Sequence, residues 1–147
     1  MSEAIPRYWS PAFIEAFVEA LNDDPDLART ASSFTDTIVL RCFDTPDGHD
    51  VEAAYTFEDG QVVNVEVWMD EAPCMEMRNE PFDKDEAMAR ATATYDVWTQ
   101  LDRGEMNVLA ALTSPDYMVE GPKLRILANI NILNRMNAVA AALEKTY

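Results

Sequence analysis

Hydrophobic positions along the chain change period twice, from helical spacing to alternation near Thr37 and back to helical spacing after Asp83. Ser10 followed by Pro11 is a helix start, the hydroxyl free to accept from an open amide while proline fills the first turn. Phe13, Ile14, Phe17, Val18 and Leu21 then share one face. Asn22-Asp23-Asp24-Pro25 ends that helix, and a short helical connector is expected over residues 26–31.

From Thr37 the alternation begins. Ile38, Leu40 and Cys42 lie on one face of a strand that Thr45-Pro46-Asp47-Gly48 ends with a turn. Val51, Ala53, Tyr55 and Phe57 form the apolar side of a second strand, and Asp59-Gly60 is the hairpin signal that follows it. A third strand sets Val63, Val65 and Val67 opposite Asn64, Glu66 and Trp68. After Asp70-Glu71-Ala72-Pro73, Met75 and Met77 alternate with Glu76 and Arg78, which predicts a fourth strand and hence a four-stranded antiparallel meander with one dry face.

Helical signals return with Asp83 and Glu86, three apart as in a capping box, which predicts a helix through Ala91. A second helix carries Tyr95, Val97, Trp98 and Leu101 and stops at Gly104. A third, short one holds Val108, Leu109, Ala111 and Leu112 and breaks at Ser114-Pro115. Residues 117–120 read as a fifth strand, and Gly121-Pro122 launches a long final helix.

Composition narrows the picture. The 147 residues fit one domain, residues 1–147, large enough for a core and a cavity. A net charge of −16 argues against any general basic surface for nucleic acid. The final segment departs from that acidity, carrying Lys123, Arg125, Arg135 and Lys145 against Glu144 alone, together with a broad apolar stripe. It is therefore expected to act as a movable cover, with transient contact to an anionic membrane through this helix. Residues 1–7 lack a secretory pattern and no apolar run approaches the ~20 residues of a membrane span, so the expectation is a cytoplasmic protein with Cys42 and Cys74 as buried thiols in two strands.

The order of parts from Asp59-Gly60 onward resembles the sterol carrier protein 2 (SCP2) family. Trp98-Thr99-Gln100-Leu101, Gly104-Glu105-Met106, the Leu109-Ala110-Ala111-Leu112 turn, Tyr117-Met118-Val119-Glu120-Gly121 and the apolar helix after it carry the resemblance. It implies an α/β (α+β) fold, a five-stranded, mainly antiparallel sheet with helices covering one face around an apolar tunnel that binds lipid. Ser114-Pro115-Asp116 and Pro122 depart from the family's usual residues near the tunnel mouth.

On that frame Met75, Met77, Trp98, Leu101, Met106, Leu109, Leu112, Met118, Leu127, Ile130, Leu133 and Met136 are expected to line the cavity, flexible thioethers suiting ligands of varied shape. The same methionines serve equally well as ordinary core filler. His49 is the one histidine, in a solvated turn, so no metal site, catalytic triad or cofactor is expected, and no nucleophile or Gly-rich phosphate motif occurs. Two readings follow: a non-enzymatic binder or carrier of a fatty acyl chain, sterol or similar lipid, and an interaction or dimerisation module with a filled core. A continuous apolar cavity of at least ~300 Å³ separates them.

Overall fold

A computed structural model of the protein describes residues 4–147. The chain opens with α1 (Pro11–Asp23), capped by the Ser10 hydroxyl accepting from the Phe13 amide, and α2 (Pro25–Thr30), capped by Asp24. Phe13, Ile14, Phe17 and Leu21 of α1 are buried. Three strands follow as a meander: β1 (Asp36–Phe43), β2 (His49–Glu58) and β3 (Gln61–Glu71). The β2–β3 hairpin turns at Asp59 and Gly60, both at positive φ (50° and 84°), the pairing that a tight twisted hairpin requires. A Cβ on Gly60 would stand 2.8 Å from the Ala31 carbonyl oxygen, so this turn also presses on the end of α2.

The expected fourth strand is a single helical turn, α3 (Met75–Arg78). The alternation of Met75 and Met77 misled because the residues that become buried are Cys74 and Met77, three apart. The turn is fixed from outside: the buried carboxylate of Asp50 accepts from the Cys74 amide at 2.8 Å and from Arg78 at 2.7 and 2.9 Å. Cys74 therefore precedes a helical turn and only Cys42 lies in a strand.

The helix expected over residues 83–91 is likewise replaced. Asp83 organises a turn, its carboxylate accepting from the Asp85 amide, and the chain then enters β4 (Ala89–Thr94). β4 runs parallel to β1 with Leu40 beside Ala91 and is covered on its other edge by the antiparallel β5 (Tyr117–Glu120). Five of its six residues are buried, so no polar alternation marks it, and its alanines read as helix in the sequence. The sheet order is β3-β2-β1-β4-β5, with one parallel pairing and the rest antiparallel.

Between β4 and β5 lie α4 (Tyr95–Asp102) and α5 (Val108–Ala111). The final helix is two helices, α6 (Lys123–Ala128) and α7 (Ile130–Ala142), broken at Asn129, whose φ of −111° and ψ of 18° leave the helical region. Gly121 starts this segment where a Cβ would meet the Met88 carbonyl oxygen at 2.4 Å. α7 buries Ile132, Met136, Val139 and Ala140 and packs on α1, α2, α4, α5 and α6, so it belongs to the core.

Three of the basic residues of this final segment pair with the body. Arg135 pairs with Asp24 at 2.7 Å, Arg125 with Asp36 at 2.6 Å, and Lys145 with Asp102 at 2.7 Å, the last pair almost wholly buried. Among the described residues no helix is long and apolar enough to cross a membrane.

Candidate functional site

The inner face of the sheet presents Leu40 of β1 and Tyr55 of β2 to the helices, each set inward by the two-residue period of its strand. Across from them α1 supplies Phe13 and Phe17, α4 supplies Trp98 and Leu101, and α7 supplies Leu133 and Met136. Tyr117 of β5 and Val108 of α5 complete one side. These groups line an apolar cavity of about 40 Å³. That is room for a water-sized group and far below the ~300 Å³ of an open ligand site, so the walls stand nearly closed on one another.

Four of the twelve residues expected around a cavity, Trp98, Leu101, Leu133 and Met136, come together here. Met106, Leu112 and Ile130 are half-buried behind the lining, packed on the core. Met75, Leu109, Met118 and Leu127 are exposed on the surface. Met118 pairs with Thr92 on the sheet's outer face, and Met77 is fully buried on that same side, where its carbonyl accepts from Arg41 at 2.7 Å.

Apart from Trp98, the aromatic lining, with Tyr8, Trp9, Tyr55 and Tyr117, lies outside the residues expected from the sequence. Trp9 sits in the turn before α1 at φ 65°, a left-handed conformation that costs a bulky residue about 1–3 kcal/mol and persists only where its surroundings enforce it. They do so from both sides: the Ser10 amide donates to the Arg7 carbonyl, and the Tyr8 amide donates to the Thr146 carbonyl at 2.8 Å. The signal was present in the sequence. A large apolar residue just before an N-cap, with Ile14 four positions into the helix, is the pattern of a hydrophobic staple, and both residues line the cavity.

Trp9 and Trp98 lie with ring centroids 5.2 Å apart, tilted by 52°. The Trp98 indole N–H donates to the Arg41 carbonyl at 2.8 Å, whereas the buried Trp9 N–H has no hydrogen-bond partner among the described residues. Burial alone pushes the Tyr55 and Tyr117 hydroxyls above their usual range, and burial is the main cause for Tyr8 as well. Burial likewise raises the Cys42 thiol, which makes it unreactive.

The outer face contrasts with all of this. A polar hollow of about 380 Å³ opens there between Thr37, Thr56 and Asn64 and the segment bearing Glu80 and Asp83. Burial, and then the nearby Glu80, raise the Glu52 carboxyl on its floor. Among the described residues no three metal-binding side chains converge, and the His49 ring lies beside Asp47, at 3.3 Å.

No family model matches the chain, and no curated protein matches it. Solved structures do. A crystal structure of sterol carrier protein 2 superposes with a TM-score of 0.74 at 16% identity, covering 93% of this chain and 99% of its own. A conserved hypothetical protein of Thermus thermophilus, described as possibly a sterol carrier protein, gives 0.70 at 17%, covering 98% and 94%. The apo form of sterol carrier protein 2 from Yarrowia lipolytica gives 0.55 at 16%, covering 97% and 99%. The chain has the SCP2 fold, and at these identities the likeness establishes the fold alone.

Proposed function

We propose that the protein binds and carries a fatty acyl chain, a sterol or a similar lipid, without catalysing a reaction on it, in the apolar space between the sheet and α1, α4, α5 and α7. The observation that supports this reading is the cavity itself: an almost wholly apolar space lies between the sheet and the helices of a fold whose solved neighbours include sterol carrier proteins. Burying methylenes there is worth ~0.8 kcal/mol each, so a long chain can outweigh the cost of immobilising it.

At about 40 Å³ the cavity has to open before a chain enters. The part suited to moving is α5 with α6. Both are short, both pack chiefly on α7, and they expose Leu109, Leu124 and Leu127. α7 stays fixed by its core residues, so the mobile cover and the membrane contact proposed for the final segment narrow to α6, where Lys123 and Arg125 flank Leu124.

Titration with Nile red, a neutral environment-sensitive dye, should give saturable binding, and lipid mass spectrometry of denatured extracts should release a bound lipid. Absence of both overturns the proposal. The small volume of the cavity favours the rival reading, an interaction module with a filled core, which predicts a dimer by light scattering and no dye uptake.

A further inference from the structure

We infer that the ligand of this cavity is a neutral amphiphile, bearing a hydroxyl, ester or ketone oxygen that enters first and accepts a hydrogen bond from the Trp9 indole nitrogen. This rests on the lipid-binding reading above and specifies the chemistry of the ligand's buried end. Three observations carry it.

Trp9 is only 4% exposed and lines the cavity, yet its N–H is unpartnered, an arrangement that native interiors rarely leave standing. The Trp9 N–H approaches the Tyr8 hydroxyl and favours its ionised form, but without the alignment of a formed hydrogen bond, and that hydroxyl donates instead to the Trp98 carbonyl at 3.4 Å. The neighbouring indole of Trp98 shows that the fold can satisfy such a group, since a β1 carbonyl meets it at 2.8 Å. The donor left open is the one held in place by a left-handed backbone, with the turn tied to α1 on one side and to the C-terminal residues on the other.

The lining also tells the charge of what comes. It contains no lysine or arginine, and Lys145, which stands 5.5 Å from the centre of the Tyr8 ring, is already paired with Asp102. A carboxylate pushed inward would be buried without a counter-charge, which is far more costly than burying a hydrogen-bonded hydroxyl. A free fatty acid would therefore enter tail first.

Displacement of Nile red by 1-dodecanol, 1-chlorododecane and dodecanoate tests this, with the three indole N–H signals of 15N-labelled protein followed in parallel. The alcohol should displace the dye about 3- to 10-fold more effectively than the chloride, which has nearly its shape but accepts hydrogen bonds poorly. The Trp9 N–H signal should move with the alcohol and stay still with the chloride and with dodecanoate at pH 8. In Trp9→Phe the alcohol and the chloride should become equal. Equal displacement by both in the unaltered protein, with an unmoved Trp9 signal, overturns the inference and assigns the donor to a trapped water. If Trp9→Phe fails to fold, the signals of the unaltered protein decide alone. A Trp9 signal that moves equally with dodecanoate overturns the neutral class. Failure of Nile red itself to bind falls on the lipid-binding proposal instead.

Discussion

The two faces of the sheet are built from the same strands and solve opposite problems. On the inner face Leu40, Tyr55 and Ala91 meet helices through contacts that have no preferred direction, and a small space remains between them. On the outer face Arg41 donates to Thr92 at 2.8 Å and to the Met77 carbonyl at 2.7 Å, and Arg90 grips Glu120 at 2.9 Å. Asp50 in turn ties β2 to the α3 turn. Directional bonds fix positions, while apolar packing leaves shape adjustable. The contrast teaches where this protein can give way: movement at the inner face exchanges one set of nonpolar contacts for another, but movement at the outer face strands charged groups.

The sharpest break in that comparison is Asp50→Ala. It removes one buried carboxylate that accepts from the Asp44 and Cys74 amides and from Arg78, and should cost ~3–5 kcal/mol in urea denaturation. A loss below ~1 kcal/mol would mean that the outer face is not held in this way.

Met136→Ala, on the inner face, should cost ~2–4 kcal/mol through lost packing while enlarging the cavity, so dye uptake should rise as stability falls. Parallel loss of uptake would show a face as rigid as the outer one.

Acid should act through specific carboxylates. Hydrogen bonds from Arg135 hold Asp24 below the usual range, and the Thr45 hydroxyl does so for Asp47. Burial works to raise Asp50, but Arg78 and the two amides outweigh it and hold it low. Groups depressed in the folded state contribute stability that is present above the unfolded value of ~3.9 and lost as pH falls through the folded values. The melting temperature should be flat from pH 7 to 5 and fall below pH 4. A steep decline already between pH 7 and 5 would point to groups other than these.

Salt should raise the melting temperature modestly, because a net charge of −16 repels itself over the Debye length. A fall between low and molar NaCl would mean that the ion pairs of α6 and α7 outweigh that repulsion. The smallest effect is expected for His49→Ala, whose ring is half-buried beside Asp47. It should cost under ~0.5 kcal/mol and leave dye uptake unchanged.

Local signals that act within a few residues were legible in the chain. Ser10-Pro11 starts α1, Asp59-Gly60 turns the hairpin, Gly104 ends the chain segment after α4, and Tyr117 to Glu120 form a strand. Each of these is decided by backbone sterics, a cap or a two-residue period, so the sequence determined them by itself, and with them the SCP2-like order of parts. Tertiary structure decided the rest. Residues 75–78 became a helical turn because a carboxylate 24 positions before Cys74 captured its amide. Residues 89–94 became a central strand because β1 offered a parallel partner that their alanines could not advertise. The cavity, too, is a meeting of α1, the sheet and α7. Trp98 and Met136 could be nominated from their helical faces and Trp9 from its place before an N-cap, but Tyr55 and Tyr117 join them only because chain folding brings distant segments together, and no local period records that.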